Sequence, residues 1–234
     1  GNFSSTGAPT LFLLALDKPA GTAWNAGGGS PNYYKISLPV DATLQLTMAT
    51  GVLNFSTALG NTGEVLQMYM GDLHGNMWKL GFDRVNTPTD WTATQLSPFT
   101  KGSTPVAYPL YVARDGSDPD LLLAKRQPIS MAPSLIQGNS TNSTYVAFGT
   151  GKYLEVSDKT TATQQSVYAV FDVETNVTAD STNTTRQSVI NGRDRLKAGN
   201  VNTSTGTVSV DSFIWGRPLM TANLALTQER AGWY

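Results

Sequence analysis

Residues 68–80 constrain the fold of this chain more than any other segment. They read Met-Tyr-Met-Gly-Asp-Leu-His-Gly-Asn-Met-Trp-Lys-Leu, so an apolar run lies on each side of a short turn that starts at Asp72. Glycine adopts the positive φ that a tight hairpin turn needs, which we expect at Gly75, and Gly71 lets another backbone approach closely. The pattern predicts two antiparallel strands with Trp78 in the core.

A second glycine-marked unit occurs at residues 145–154, Tyr-Val-Ala-Phe-Gly-Thr-Gly-Lys-Tyr-Leu, with Gly149 and Gly151 at the end of a strand. Short strands that end on glycines and recur at long spacing predict an all-β protein built from blades. Helical periodicity is confined to residues 221–230. The segments that have strand composition are residues 10–15, 33–38, 44–47, 65–70, 76–82, 106–113, 134–137, 145–149, 166–172 and 212–214.

Composition excludes several classes of function. The formal net charge of −1 and the scattered basic residues give no surface for nucleic acid, and the chain has no cysteine for a disulfide or a thiolate metal site. The longest apolar run, residues 12–16, is too short to span a membrane. Charged residues are only 14% of the chain, and the polar remainder is rich in Ser, Thr, Asn and Gly, which suits an exported protein.

We interpret residues 1–234 as part of one β-propeller domain, modified or incomplete, with about three to five blades. A Thr-, Asn- and Ser-rich stretch at about residues 174–208 is predicted to be a long surface insertion. The chain closes on Gly-Trp-Tyr at residues 232–234, from which we expect a fragment of a longer chain.

Several motifs, in this order, resemble the C-terminal propeller of the PilC/PilY family of type IV pilus tip-associated adhesins and assembly factors. The first is residues 68–80, quoted above. The others are Gln-Pro-Ile-Ser-Met-Ala-Pro-Ser-Leu at 127–135, Val-Ala-Phe-Gly-Thr-Gly-Lys-Tyr-Leu-Glu at 146–155, Ser-Asp at 157–158, Gln-Ser-Val-Tyr-Ala-Val-Phe-Asp at 165–172 and Gly-Trp-Tyr at 232–234.

The resemblance implies quinoprotein-like blades and a non-enzymatic protein on the cell surface, at a bacterial pilus tip or associated with the outer membrane. It implies minor pilins or the major pilin as partners, together with a host or surface receptor. The function expected from it is support of pilus assembly and of surface adhesion. In mechanism, rigid blades would hold loops in place, and one exposed strand edge would accept a strand from a partner.

The resemblance also raises the question of calcium, because many relatives carry an aspartate-rich calcium loop before the strand that corresponds to residues 68–70. Here that stretch runs from Ala58 to Leu66 and offers only Asn61, Thr62, Glu64 and carbonyl groups. Calcium takes about six to eight oxygens, several of them charged. We therefore expect that this site is lost and that the chain has no cofactor.

Three acidic residues, Asp115, Asp118 and Asp120, lie on one loop and are candidates for a hard-cation site, although their composition is also that of a solvated turn. His74 is the only histidine, which excludes a histidine-rich metal centre, and we expect it to be an exposed or half-packed turn residue. Lys152 follows a Gly-Thr-Gly run but lacks the spacing and helix of a phosphate loop.

Candidate partner-binding residues are the loop aromatics Trp24, Tyr33 and Tyr34 and, in the insertion, Asn191 and Arg193. We interpret six further residues as a structural blade motif rather than a catalytic one, with the Asp72 carboxylate bonding neighbouring amides and the Trp78 indole N–H donating to a carbonyl. These six are Gly71, Asp72, Gly75, Trp78, Gly149 and Gly151.

Two other functions stay open. A propeller enzyme of quinoprotein dehydrogenase type has similar blades, but it needs a full ring around its cofactor, and no carboxylate pair is marked for glycoside hydrolysis. A carbohydrate- or matrix-binding module is the second alternative. We predict that the chain is not an enzyme.

Overall fold

The computed structural model describes residues 6–101, 103–115, 126–137, 143–161, 163–173, 196–197, 199–202, 204–210 and 232–233. The strands in the first half are β1 Thr10–Leu14, β2 Tyr33–Ser37, β3 Val52–Leu59, β4 Val65–Asp72, β5 Asn76–Gly81, β6 Thr100–Lys101, β7 Val106–Ala107 and β8 Tyr111–Val112. Those in the second half are β9 Ser134–Gln137, β10 Ser143–Gly149, β11 Val167–Val173, β12 Leu196–Lys197, β13 Gly199–Asn202, β14 Thr207–Val210 and β15 Gly232–Trp233. Helix is limited in these ranges to α1 Ala42–Gln45, α2 Ala93–Leu96 and 3₁₀ turns at Phe82–Arg84, Pro88–Asp90 and Val156–Thr160.

Two sheets form the body of the described fold. The first blade is a four-stranded sheet in the order β3-β4-β5-β8, and the second blade is a five-stranded sheet in the order β12-β15-β11-β10-β9. Strand pairing is antiparallel except between β12 and β15. Three ribbons, β1-β2, β6-β7 and β13-β14, complete the described strands, and these sheets do not close into a ring.

The first blade is covered on both faces because side chains alternate along its strands. In the register of β4 with β5, Met70 lies across from Trp78 on one face, while Tyr69 lies across from Lys79 on the other. The first face packs on the β1-β2 ribbon around Ile36. The second face packs on the second blade. The layers therefore follow one another as ribbon, first blade and second blade, as adjacent sectors of a propeller do.

A buried ion pair joins the two blades. Lys79 Nζ lies 2.6 Å from Asp172 Oδ2, and both side chains are 3% exposed. The Tyr69 hydroxyl donates to the same carboxylate oxygen at 2.7 Å. Desolvation offsets much of the attraction of such a pair, so we interpret it as a device that fixes how the two sheets meet rather than as a large source of stability.

Two strand predictions were wrong. Residues 44–47, predicted as a strand, overlap the end of α1. This helix begins at Ala42 because the Asp41 carboxylate accepts from the Thr43 and Leu44 amides at 2.9 and 3.1 Å. The predicted strand at residues 106–113 is split into β7 and β8, with Pro109 in the gap, where it cannot donate to a ladder. The predicted strand at 212–214 and the helical turn at 221–230 lie outside the described residues.

The sequence pattern did not predict β3, although it is one of the longest strands described. β9 begins at Ser134, directly after Pro133, and is the edge strand of the second blade, a position in which a proline removes no ladder hydrogen bond. Strands β12 and β13 fall inside the predicted insertion, whose limits stay a prediction. In the described parts of the chain, no helix has the length and apolar character needed to cross a membrane.

Candidate functional site

The first-blade turn, residues 72–75, is a buried junction. Asp72 is 2% exposed. Its Oδ2 accepts from Trp78 Nε1 at 2.7 Å and from Asn76 Nδ2 at 2.9 Å, and its Oδ1 accepts from the Asn76 amide at 2.9 Å. The expected bond from Asp72 to a neighbouring amide is therefore present. The prediction that the Trp78 indole N–H donates to a carbonyl group was wrong, because it donates to the Asp72 carboxylate.

Backbone segments from elsewhere in the chain cross this turn. The Ile129 amide donates to the Asp72 carbonyl at 2.9 Å, and the Ala113 amide donates to the Gly75 carbonyl at 2.7 Å. Gly75 has φ of 81°, and a Cβ there would lie 2.7 Å from the carbonyl oxygens of both Ala113 and Gln127. A Cβ at Gly71 would instead overlap the Ile129 side chain. The closest backbone approach is thus at Gly75, while Gly71 makes room mainly for a side chain.

The prediction that His74 is exposed or half-packed was wrong. His74 is 2% exposed, and its Nε2 lies 3.0 Å from the Met48 carbonyl oxygen. The reason is that distant backbone covers the turn, with the Met48 carbonyl at the His74 ring and the Ala113 and Gln127 carbonyls against Gly75. The His74 carbonyl also accepts from Arg126 Nη1 at 3.0 Å.

The electrostatics of the junction follow from its burial. Burial raises the pKa of Asp72, and the hydrogen bonds from Trp78 and Asn76 oppose that rise. Burial, followed by the neighbouring Arg114, lowers the pKa of Arg126. Arg126 Nη1 donates to Asn76 Oδ1 at 3.1 Å, so the Asn76 amide connects the guanidinium to the Asp72 carboxylate. These polar groups face one another inside the fold, an arrangement suited to holding segments together.

The second glycine-marked unit differs from the first. Gly149 ends β10, and a Cβ there would meet the Met131 sulfur at an ordinary 3.7 Å. Gly151 has φ of +121°, and its amide donates to the Pro128 carbonyl at 2.6 Å. A Cβ at Gly151 would find only the Gln165 side chain, at 3.6 Å. The second-blade loop, residues 150–161, is therefore not crossed as tightly as the first-blade turn.

A single aspartate organises the second-blade loop. Asp158 Oδ2 accepts from the Leu154 and Glu155 amides at 2.8 and 2.9 Å, and Lys152 Nζ lies 2.6 Å from Asp158 Oδ1. The bond from Lys152, followed by that from the Leu154 amide, lowers the pKa of Asp158 to about 2. Lys152 also pairs with Glu155 at 2.6 Å, so its ammonium group is engaged by two carboxylates and does not face a phosphate cradle. The loop exposes apolar side chains, with Val156 83% exposed.

Of the three acidic candidates, only Asp115 lies in the described part of the chain, so the hard-cation site stays a prediction. Asp115 is described, whereas Asp118, Asp120, Asn191 and Arg193 lie outside the described residues. Within those ranges no group of three or more His, Cys, Asp or Glu is placed to hold a metal ion.

The turn at residues 58–66 keeps its one carboxylate occupied within the turn itself. Glu64 accepts from the Thr62 amide at 3.0 Å and from the Thr62 hydroxyl, and the hydroxyl bond is the first cause of its lowered pKa. The loss of a calcium site at this turn stays a prediction.

Two of the three aromatic candidates lie together on the outer side of the β1-β2 ribbon. The Trp24 and Tyr33 rings meet edge to face with their centres 6.3 Å apart, and the centres of the Tyr33 and Phe12 rings are 6.5 Å apart. Phe12, Leu14 and Trp24 are 52%, 54% and 52% exposed. We call this surface the aromatic face and define it by Phe12, Leu14, Trp24 and Tyr33.

Tyr34 does not belong to the aromatic face. It points to the other side of the ribbon, where its ring packs edge to face on Trp91 at 5.2 Å and so connects to the core. Phe12 and Leu14 were missed as surface candidates. The available signal was that β1 is apolar at every position after Thr10, so whichever side faces out must also be apolar.

The loop that carries Trp24 is held in place by side-chain hydrogen bonds. Asn32 Oδ1 accepts from the Asn25 amide at 2.8 Å, and Asn32 Nδ2 donates to the Ala23 carbonyl at 3.0 Å. Lys18 Nζ donates to the Thr22 carbonyl at 2.7 Å and lies 4.7 Å from the centre of the Trp24 ring. These contacts fix Trp24 although half of its surface faces solvent.

The family of the chain follows from its similarity to a known domain. The family model described as the PilY1 beta-propeller domain matches residues 53–206, which begin in β3 and include most of both blades. The chain belongs to the PilY1 family. The family match confirms the resemblance that the ordered motifs carry, and the match does not include the β1-β2 ribbon.

Curated relatives carry the name type IV pilus biogenesis factor PilY1. The protein of Pseudomonas aeruginosa strain PAO1 is 32% identical over 144 residues, and the match covers 56% of this chain and 12% of the relative. The protein of strain UCBPP-PA14 is 35% identical over 120 residues, covering 46% of this chain and 10% of the relative. The chain thus spans about an eighth of the length of the curated relatives it matches.

A solved structure supports the fold. The crystal structure of the Pseudomonas aeruginosa PilY1 C-terminal domain matches with a TM-score of 0.50 and 22% identity, over 85% of this chain and 40% of that one. At this identity the match carries the fold alone. Together with the family match it confirms the prediction of an all-β, incomplete propeller. The chain is therefore related to proteins of the type IV pilus machinery.

Proposed function

We propose that this chain is a non-enzymatic propeller module, located at the cell surface, that supports type IV pilus assembly and surface adhesion by docking on minor pilins at the pilus tip. The observation that carries the proposal is the family match over residues 53–206. The relatives are named for pilus biogenesis, and their names do not designate enzymes.

The arrangement of polar groups supports a scaffold. Within the described residues, Asp72 is engaged by Trp78 and Asn76, and Lys79 is paired with Asp172 across the two blades. Groups held in this way fix the positions of sheets and do not face a substrate. The blade motif that includes Gly71, Asp72, Gly75 and Trp78 is accordingly proposed to stabilise the platform.

The surfaces of the fold favour docking on a face over the addition of a strand at an edge. The edge strand β3 changes register twice along β4, and such irregularities blunt an edge for pairing. Asn54 and Ser56 on β3 also bond the Ser130 and Pro133 carbonyls, which brings the segment before β9 close to this strand.

The proposal is tested in the organism that makes the protein by an in-frame deletion of residues 53–206 from the full-length chain. We expect surface pili and attachment to be lost or strongly reduced while the pilin subunits are still made, and to return on complementation with the intact gene. Normal piliation and attachment in the deletion strain would contradict the proposal.

A binding experiment separates the partner from the role of calcium. Purified minor pilins are mixed with the full-length protein, with and without a chelator. We expect capture in both conditions, because the turn at residues 58–66 contributes a single carboxylate, that of Glu64. Capture that disappears with the chelator, and that is lost in the same way in Glu64→Gln, would overturn the prediction that this turn has lost its calcium site.

A further inference from the structure

We propose that the aromatic face of the β1-β2 ribbon is the docking surface for the pilin-class partner, and that this partner presents an apolar protein surface rimmed by carboxylates. The proposal rests on the proposed function and adds to it the place and the chemistry of the contact. This surface lies outside the residues that the family model matches.

The aromatic face is contiguous and apolar. In the register of β1 with β2, Leu14 lies across from Tyr33, so both side chains stand on the same side of the ribbon as Phe12. Trp24 extends this surface by packing on Tyr33, and the fully exposed Leu16 follows just beyond β1. Scattered exposed apolar residues are ordinary, but a joined set of this kind is typical of an interaction site.

The face is also rigid before binding. Asn32 bonds the backbone of Ala23 and Asn25 on both sides of Trp24, and Lys18 holds the Thr22 carbonyl. Aromatic side chains that are already fixed lose little conformational entropy when a partner covers them. Because the ribbon packs on the first blade through its opposite side, around Ile36, a partner can cover the outer side without disturbing the core.

The charges around the face indicate what the partner carries. Residues 6–37 contain Lys18, Lys35 and a single acid, Asp17, so this segment has a net charge of +1 while the whole chain has −1. Lys35 lies directly across from Phe12 in the strand register and is exposed on the same side. A complementary partner therefore places carboxylates beside its apolar contact, which favours correct association and speeds encounter.

A protein fits this surface better than a sugar does. The Lys18 ammonium occupies one side of the Trp24 ring, and the successive rings are inclined to each other at 85° and 33°. Such rings form no flat platform for stacking a pyranose. The exposed aliphatic side chains of Leu14 and Leu16 instead require an apolar partner surface.

Two pairs of variants in the full-length protein test the proposal by titration with the purified globular part of each minor pilin. Leu14→Glu places a charge in the apolar contact and Lys35→Glu reverses the rim charge. Val156→Glu and Lys159→Glu are the matched controls, because both residues are exposed on the second-blade loop. Thermal unfolding of each variant checks that the fold is kept.

We expect Leu14→Glu to weaken binding by about tenfold or more and Lys35→Glu by about three- to tenfold. Lys35→Arg should bind as wild type does, and raised salt should weaken wild type more than Lys35→Glu. Both controls should stay within about twofold of wild type. If wild type binds a minor pilin and Leu14→Glu and Lys35→Glu bind equally well, this inference is wrong and the proposed function stands.

Three further outcomes bear on the proposed function or on the inference. Failure of wild type to bind any minor pilin contradicts the proposed function, and the inference fails with it. If Leu14→Glu abolishes retention on a polysaccharide column while pilin binding is unchanged, the surface is a sugar site and the inference is overturned. A photo-crosslinker placed at Leu14 should join the protein to a pilin, and a crosslink only within the same polypeptide would identify the face as an internal contact.

Discussion

The first-blade turn and the second-blade loop start from a similar sequence pattern, a strand that ends near two glycines, and reach opposite environments. Residues 72–75 are buried, whereas the second-blade loop places Tyr153 and Val156 in solvent, 71% and 83% exposed. The difference lies in what crosses each turn. Carbonyl groups of Ala113 and Gln127 press on Gly75, while a Cβ at Gly151 would meet only a glutamine side chain.

Each of the two turns is organised by one aspartate, and the two carboxylates have pKa values shifted in opposite directions. Burial raises the pKa of Asp72, which lies where water cannot solvate its charge. A hydrogen bond from the Lys152 ammonium lowers the pKa of Asp158 to about 2. A turn framed by glycines therefore does not by itself indicate exposure, because distant segments decide whether it becomes a junction or a surface loop.

Removal of each carboxylate in turn tests the difference between the two turns most directly. Asp72→Ala leaves the buried Trp78 indole and both nitrogen donors of the half-buried Asn76 without their acceptor. Because each unsatisfied buried donor costs roughly 1–3 kcal/mol, we expect the free energy of unfolding to fall by about 3 kcal/mol or more. Urea denaturation measures this loss.

Asp158→Ala is the matched control. Its carboxylate is 5% exposed, but the Leu154 and Glu155 amides that donate to it belong to exposed residues of a surface loop, where water can take its place, so the effect on global stability should be much smaller. Equal losses for the two variants would show that the two turns do not differ in the way proposed.

The sequence predicted the β4-β5 hairpin and the buried Trp78 because both depend on local pattern and turn chemistry. It did not predict that His74 is buried, because this depends on backbone segments that lie far away along the chain. It missed β3, whose polar Asn54 and Ser56 and two changes of register hide the alternation of a strand. It also predicted a strand where Asp41, a good N-cap, starts α1.

The candidate surface was predicted only in part. Trp24 and Tyr33 were chosen as aromatics on or beside a loop, and the structure brings them together. Tyr34 follows Tyr33 in the sequence and therefore points to the opposite side of the ribbon, where it packs on Trp91. Phe12 and Leu14 could not be assigned to the outer side without the register of β1 with β2, which no local pattern supplies.

A smaller effect is expected from alanine at the two glycines with positive φ. Gly75→Ala combines a left-handed backbone, φ of 81°, with a Cβ placed 2.7 Å from two carbonyl oxygens, so we expect a loss of about 2 kcal/mol or more. Gly151→Ala has the backbone strain at φ of +121° without the steric overlap, and a smaller loss of about 1–2 kcal/mol is expected.

Differential scanning calorimetry of the two glycine variants gives the order directly. A larger loss for Gly151→Ala would mean that backbone strain, and not the crossing segments, distinguishes the two turns.

The smallest expected effect is the titration of the second-blade loop. Since the pKa of Asp158 is lowered from 3.8 to about 2, its ionised form stabilises the loop fully above about pH 4, and this contribution is lost as the pH falls through about 2. Carboxyl carbon shifts and exchange of the Leu154 and Glu155 amides follow this opening by NMR. In Lys152→Met, which removes the first cause of the shift, the pKa of Asp158 should rise toward its ordinary value, while Lys159→Met should leave it unchanged. An Asp158 carboxyl that titrates near 3.8 in the wild-type protein would show that the ion pair with Lys152 does not hold the loop, and the contrast with Asp72 would then rest on burial alone.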